Sequence, residues 1–279
     1  MSETLSKAYP LEDEYPLTGE QREAYRREGH ILLRQVCSPE EIAAYRPAIH
    51  DATYRFSHEA RPLEERDTYG KAFIQTGNLC WRDEVVKAFV FARRFARIAA
   101  ELMGIDAVRL YHDQALFKEA GGGHTPWHQD QYYWPLDTDN TVTLWMPLVD
   151  LTEEMGTMVF ASGSQKRGLL GHLAISDESE ASFQEYVETE SLPLAAAGAM
   201  RAGDATFHAG LTLHRAPGNS GAYTREVMTI IYYPDGVRLL EPDNPGRRGD
   251  FRHIYPNGKA GELAVGDHTP VLYSRHQAA

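Results

Sequence analysis

The hydrophobic pattern divides the chain near Gly104. Before it, apolar residues recur at helical spacing; after it, short alternating runs take over. Thr18-Gly19-Glu20-Gln21 has the form of a capping box and predicts a helix, with Gly29 placed to stop it. His30 to Val36 reads as a short strand. Ser38-Pro39-Glu40-Glu41 combines a capping serine, proline in the first turn and a returning glutamate, and starts a helix into the fifties that Pro47 should kink. Residues 59–71 carry too much charge for a core and are expected to be a mobile loop. Val85, Val86, Phe89, Val90, Ala92, Phe95, Ile98, Ala99 and Leu102 predict one long helix from Asp83 to Met103, the longest of the chain. Residues 1–17 are polar, with two prolines and an acidic cluster, and read as a loosely tethered arm.

Beyond Gly104 the predicted strands are Val108–Phe117, Thr141–Val149, Thr157–Ala161, Leu211–Arg215 and Tyr223–Tyr233, with a hairpin at 200–207 turning over Ala202-Gly203-Asp204. An acidic helical insertion is expected at 176–190. Short strands at regular spacing predict a sandwich or barrel, wrapped by the Pro- and Gly-rich tail from Pro234. The fold class expected is mainly β with flanking α, as one domain over residues 18–279.

Composition narrows the partners. The chain has 279 residues, 42% hydrophobic and 24% charged, enough for a full core. A net charge of −12 argues against nucleic acid or an anionic membrane surface as partner. Two widely spaced cysteines, Cys37 and Cys80, exclude a zinc-thiolate site and fit a reducing compartment. No secretory leader or long apolar run stands out, so the expected location is cytoplasmic, off the membrane. Walker, dinucleotide-binding and HExxH motifs are absent.

The candidate chemistry lies in His124–Pro135. His128 and Asp130 are two residues apart, so on extended backbone they point the same way and can share a metal. A third ligand must come from elsewhere. His208 and His214 have the same parity, and the residues alone leave both open. Two imidazoles and a carboxylate on one face of an iron ion leave the other face free for substrate and oxygen. Arg225, eleven residues after His214, suits a hairpin that carries a guanidinium to the pocket, where its planar fork would receive a carboxylate. Thr143 and Trp145 alternate along the following strand and would face the same interior.

Trp127-His128-Gln129-Asp130, then Leu144-Trp145-Met146-Pro147-Leu148, then Ser162-Gly163-Ser164, then Gly203 to His208, His214 and Arg225 form an ordered set. With the N-terminal helix, strand and Ser38-Pro39-Glu40-Glu41, the chain over roughly 18–235 resembles the phytanoyl-CoA dioxygenase family of iron(II)- and 2-oxoglutarate-dependent oxygenases. The resemblance implies a double-stranded β-helix (jelly-roll, cupin-like) core behind N-terminal helices. It implies that His128, Asp130 and His214 bind Fe(II), with His208 in a structural position. It further implies that Arg225 receives the far carboxylate of 2-oxoglutarate, that Trp145 lines that pocket, and that O2 is the oxidant. Two features depart from the family pattern: Gln165 stands where a histidine often ends the Gly-Ser turn, and Ala216 stands where a serine or threonine often helps hold the cosubstrate. Thr143 or Gln114 is then expected to share that task, with Lys118 as a further contact on the strand of Gln114.

The family chemistry is oxidation of a C–H bond, releasing succinate and CO2. Asp130 implies hydrogen abstraction leading to oxygenation or a related outcome, not halogenation, because the related halogenases have a small residue there. Tyr132, Tyr133 and Trp134 suggest an apolar wall for a small-molecule substrate such as a cyclic natural product, and the stretches at 59–71 and 176–190 are candidate lids. The alternatives are a non-catalytic cupin-like binding module and a redox-inert metal-dependent isomerase or hydrolase.

Overall fold

The computed structural model describes residues 9–276. Two antiparallel sheets face each other, and helices cover the outside of the larger one. The larger sheet has seven strands in the order β1 (His30–Leu33), β8 (Ala205–Ala209), β5 (Val142–Pro147), β10 (Val227–Pro234), β3 (Ala107–Phe117) and β11 (Val271–Ser274), with β2 (Ile74–Gly77) also on β3. The smaller has four: β4 (Thr125–His128), β9 (His214–Ala216), β6 (Val159–Ala161) and β7 (Leu194–Ala196). This is the double-stranded β-helix expected.

Strand alternation explains the layers. Leu144, Met146, Phe207, Met228 and Ile230 turn outward into one core with Ile42, Phe89 and Phe95 of the helices. Their neighbours Thr143, Trp145, His208, Thr229 and Ile231 turn inward, between the sheets. The helices are α1 (Gly19–Glu28), α2 (Pro39–Phe56), α3 (Thr68–Ala72), α4 (Glu84–Val90), α5 (Arg93–Met103), α6 (Asp177–Thr189) and α7 (Pro245–Ile254). Thr18 and Ser38 both close complete capping boxes, as their sequences predict. The helix α2 continues through Pro47.

Several expectations are corrected. The helix predicted from Asp83 to Met103 breaks at Ala92, whose backbone is extended. The amide of Arg94 donates to the carbonyl of Leu11, and the Arg94 side chain pairs with Glu41 and Asp13. A tertiary partner thus replaces the helical one, and α2 becomes the longest helix. The same contacts tie down residues 9–17 of the supposed arm: Leu11 is buried, and the Tyr45 hydroxyl donates to the Tyr9 carbonyl. Residues 1–8 lie outside the described residues.

The stretch 59–71 is partly ordered, with a turn of 3-10 helix at Leu63–Glu65, the start of α3, and Arg66 buried against Glu119. Residues 200–207 form no hairpin of their own, because β8 pairs with β1 and β5. Nor do His214 and Arg225 share one. β9 belongs to the smaller sheet, and Arg225, just before β10, bridges Lys118 at the edge of the larger.

Candidate metal centre and cosubstrate pocket

β4 and β9 pair so that His128, the last residue of one, lies opposite His214, the first of the other. Each imidazole is oriented by its own strand: Nδ1 of His128 sits 2.7 Å from the Pro126 carbonyl, and Nδ1 of His214 sits 2.9 Å from that of Thr212. Such bonds place the proton on Nδ1 and leave Nε2 as a free donor atom. The two Nε2 atoms lie 3.5 and 3.7 Å from the same oxygen of Asp130.

The chain reaches that geometry by leaving the strand. Gln129 is still extended, which keeps Asp130 on the side of His128, but Asp130 already opens a 3-10 turn, Asp130–Tyr132. Gln129 points the other way and is buried. Its amide nitrogen donates to the carbonyls of Gly168 and Leu211, and its oxygen accepts from the Leu170 amide. The Gly-Ser turn supports the second imidazole: Ser164 Oγ accepts from the Leu213 amide, 2.9 Å away, next to His214.

The donor set fits a divalent iron. Burial works against the Asp130 charge, yet the imidazoles of His214, His128 and His208 hold its carboxyl well below the usual carboxylate range. Burial, with His128 and His208 beside it, pushes the His214 pKa well down, so that ring is neutral. Two imidazoles and one carboxylate converging from separate elements form the facial arrangement of non-haem iron sites. Thr143 donates to the second Asp130 oxygen at 2.9 Å, and His208 Nε2 lies 3.3 Å from that oxygen. Thr143 and His208 therefore steady the carboxylate from behind, and His208 contacts Asp130 without joining the converging set.

A cavity of about 170 Å³ opens from this centre between the sheets. At one end Arg225 is buried above the Trp145 ring, its guanidinium carbon 5.3 Å from the ring centre. One arm donates to the Gly156 carbonyl, while the buried Nε has no partner among the described residues. Burial pulls its pKa down to about 9, as befits a cation awaiting an anion. Gly156 is obligatory there: its φ is +74°, and a Cβ would come 2.2 Å from the Pro217 carbonyl.

Of the expected helpers, Gln114 lines the cavity but accepts from Gln75. Lys118 does not line it: it is fully buried, donates to the Gly123 carbonyl and lies 3.4 Å from Thr125 Oγ1. Burial, and then Arg225, push the Lys118 pKa down to about 6. The sequence reading missed Thr125, which pairs directly with Ala216 across the β4–β9 ladder and lines the cavity. A hydroxyl absent from one strand is thus present on its partner.

The far end is lined by Tyr133 and Trp134 as expected, whereas Tyr132 turns away from the cavity and packs edge-on against Tyr133. Tyr69, Phe73 and Ile175 come from the two candidate lid regions or their borders. Asp250 of α7 reaches in from the tail, and no motif announced it.

A jelly roll with two imidazoles, a carboxylate and a buried arginine around one cavity defines an iron-dependent oxygenase using a keto-diacid cosubstrate. The family model of phytanoyl-CoA dioxygenase (PhyH) matches residues 25–227, and the chain belongs to that family. It is therefore an oxidoreductase of the iron- and 2-oxoglutarate-dependent class, and the binding-module and redox-inert readings are not favoured. A curated relative, the probable alpha-ketoglutarate-dependent hypophosphite dioxygenase of Stutzerimonas stutzeri, is 22% identical over 260 residues, covering 86% of each chain. Among solved structures, the non-heme alpha ketoglutarate dependent carbocyclase SnoK from nogalamycin biosynthesis superposes with a TM-score of 0.74 at 23% identity, over 92% of this chain and 96% of that one. The epimerase SnoN, in complex with Fe3+, alpha ketoglutarate and nogalamycin RO, gives 0.71 at 25% identity, over 91% and 97%. Among the described residues, no helix is long and apolar enough to cross a membrane.

Proposed function

We propose that the chain oxidises a C–H bond of a small, ring-bearing organic substrate in a tailoring reaction, with His128, Asp130 and His214 as the iron ligands and Arg225 as the anchor of 2-oxoglutarate. The observation that carries this reading is the shared cavity. The only three-donor cluster among the described residues opens onto the same space as a buried, half-satisfied guanidinium. When bound, iron and 2-oxoglutarate supply the oxidising power, consuming O2 and releasing succinate and CO2.

The chain supplies placement. Arg225 neutralises the far carboxylate of the cosubstrate against the Trp145 face, and Thr125 offers a hydroxyl in place of the one missing at Ala216. Thr143 holds Asp130 in position to face both imidazoles. Tyr69, Phe73, Tyr133 and Trp134 wall off water at the other end and offer flat apolar faces suited to a ring. The nogalamycin-pathway likeness supports a cyclic natural product as substrate class. Hydroxylation, ring closure and epimerisation all begin with hydrogen abstraction and fit this cavity.

A screen of cyclic metabolites with iron-loaded protein, read as succinate release together with oxygen uptake, tests the reading. It predicts substrate-stimulated succinate matched to oxygen consumed. Product formed without succinate or oxygen uptake would overturn it.

A further inference from the structure

The two ends of the cavity differ in charge. Arg225 stands at one, and at the other Asp250 lines the wall as an isolated carboxyl group. One Asp250 oxygen accepts from the Tyr111 hydroxyl at 2.9 Å, and the other has no hydrogen-bond partner among the described residues. Asp250 makes no ion pair among the described residues, and burial pushes its pKa up to about 6, with only the Tyr111 bond opposing. The fold invests in this placement. Ile231 pairs with His112 and Tyr232 with Leu110, so Tyr111 is the extra residue of a β-bulge. The bulge lets Tyr111 reach Asp250 while His112 still lines the cavity.

We propose that this end of the cavity is an ammonium site, so that the substrate carries a protonated amine with Asp250 as its counter-charge. The inference rests on the oxygenase reading for what the cavity does. Its own support is the pairing of a lone carboxylate with aromatic walls. Tyr69, Phe73, Tyr133 and Trp134 line the same space, and ring faces attract an ammonium while a carboxylate neutralises it. An anionic substrate would meet repulsion from Asp250. A neutral one would leave its charge uncompensated. Register sets the scale: His208, Thr143, Ile231 and His112 form one row across the larger sheet. His112 is thus two strands from Thr143, which touches Asp130, a separation of about 10 Å at ~4.8 Å per strand. The amine therefore belongs on the order of 10 Å from the reacting carbon, across one or two rings.

The test uses protein loaded anaerobically with Fe(II) and 2-oxoglutarate, titrated calorimetrically with benzylamine and with its neutral counterpart benzyl alcohol. Wild type is expected to bind benzylamine about tenfold more tightly, a difference of about 1.4 kcal/mol. Asp250→Asn is expected to abolish that preference without changing 2-oxoglutarate affinity. Equal binding of the two probes, no benzylamine binding, or a preference that survives in Asp250→Asn overturns the ammonium site. The probe comparison is also run without cosubstrate. If 2-oxoglutarate fails to bind, the oxygenase reading falls, while the amine preference still decides the role of Asp250.

Discussion

His128 and His214 face each other across the β4–β9 ladder with ring centres 4.0 Å apart, although one precedes and the other follows most of the β core. Each is fixed through Nδ1 to a carbonyl two residues back in its own chain. His208 is nearly as close to His214, with ring centres 4.4 Å apart, but approaches the oxygen of Asp130 that Thr143 also binds. His214→Ala is therefore expected to lose iron, whereas His208→Ala retains most of it. Iron content after anaerobic loading and desalting measures this; the reverse result would transfer the ligand role to His208.

On the proposed assignment, Arg225→Gln removes the guanidinium that would receive the far carboxylate. Losing a charge-assisted hydrogen bond of about 1.5–3 kcal/mol corresponds to roughly a 10- to 100-fold weaker binding of 2-oxoglutarate. Iron affinity should not change. Thr125→Val is expected to weaken 2-oxoglutarate binding severalfold, and more than Gln114→Leu does, because Gln114 is already engaged by Gln75. Anaerobic binding isotherms decide the order.

Gln129 does not touch the metal cavity, but three hydrogen bonds hold the strand end from which Asp130 turns. Gln129→Leu leaves the Gly168 and Leu211 carbonyls and the Leu170 amide without this partner. The expected cost is about 2–3 kcal/mol, with iron binding weakened roughly tenfold or more through loss of orientation. Unchanged iron affinity would show that Asp130 is positioned without it.

Burial lowers the pKa of both His30 and His112 to about 4. The unfolded chain takes up these protons near pH 6.5 and the folded chain only near 4. Their contribution is thus present above pH 6.5 and is lost as pH falls towards 4. Asp250 runs the other way, since its raised pKa favours the folded state as pH falls from 6 to 3.8. Two histidines outweigh one carboxyl, so the metal-free protein should unfold at lower urea at pH 5 than at pH 7.5. His30→Asn should reduce that dependence, with His112, His214 and Lys118 still acting in the same direction. A flat wild-type profile would contradict it.

The candidate metal set could be proposed from sequence because His128, Asp130, His214 and Arg225 occur in a fixed order among strand motifs, and the larger sheet followed from alternation at Thr143, Trp145 and their neighbours. What remained hidden depends on contacts distant in sequence. The break at Ala92 needs the Leu11 carbonyl, which no helical periodicity encodes. Thr125 gains its meaning only from pairing with Ala216. Asp250 lies beyond residue 227, where the family match ends, on a helix of the tail whose packing against Tyr111 depends on a bulge. The sequence suggests Lys118 as a pocket contact, yet the bridge to Arg225 buries it away from the cavity.

Everything depends on one ferrous ion and one keto-diacid meeting in this cavity. Anaerobic titration of the iron-loaded protein with 2-oxoglutarate, followed by visible absorption, tests that directly. A saturable metal-to-ligand charge-transfer band should appear at one equivalent per chain and vanish in His214→Ala. No band at saturating 2-oxoglutarate, or an undiminished band in His214→Ala, would contradict the account.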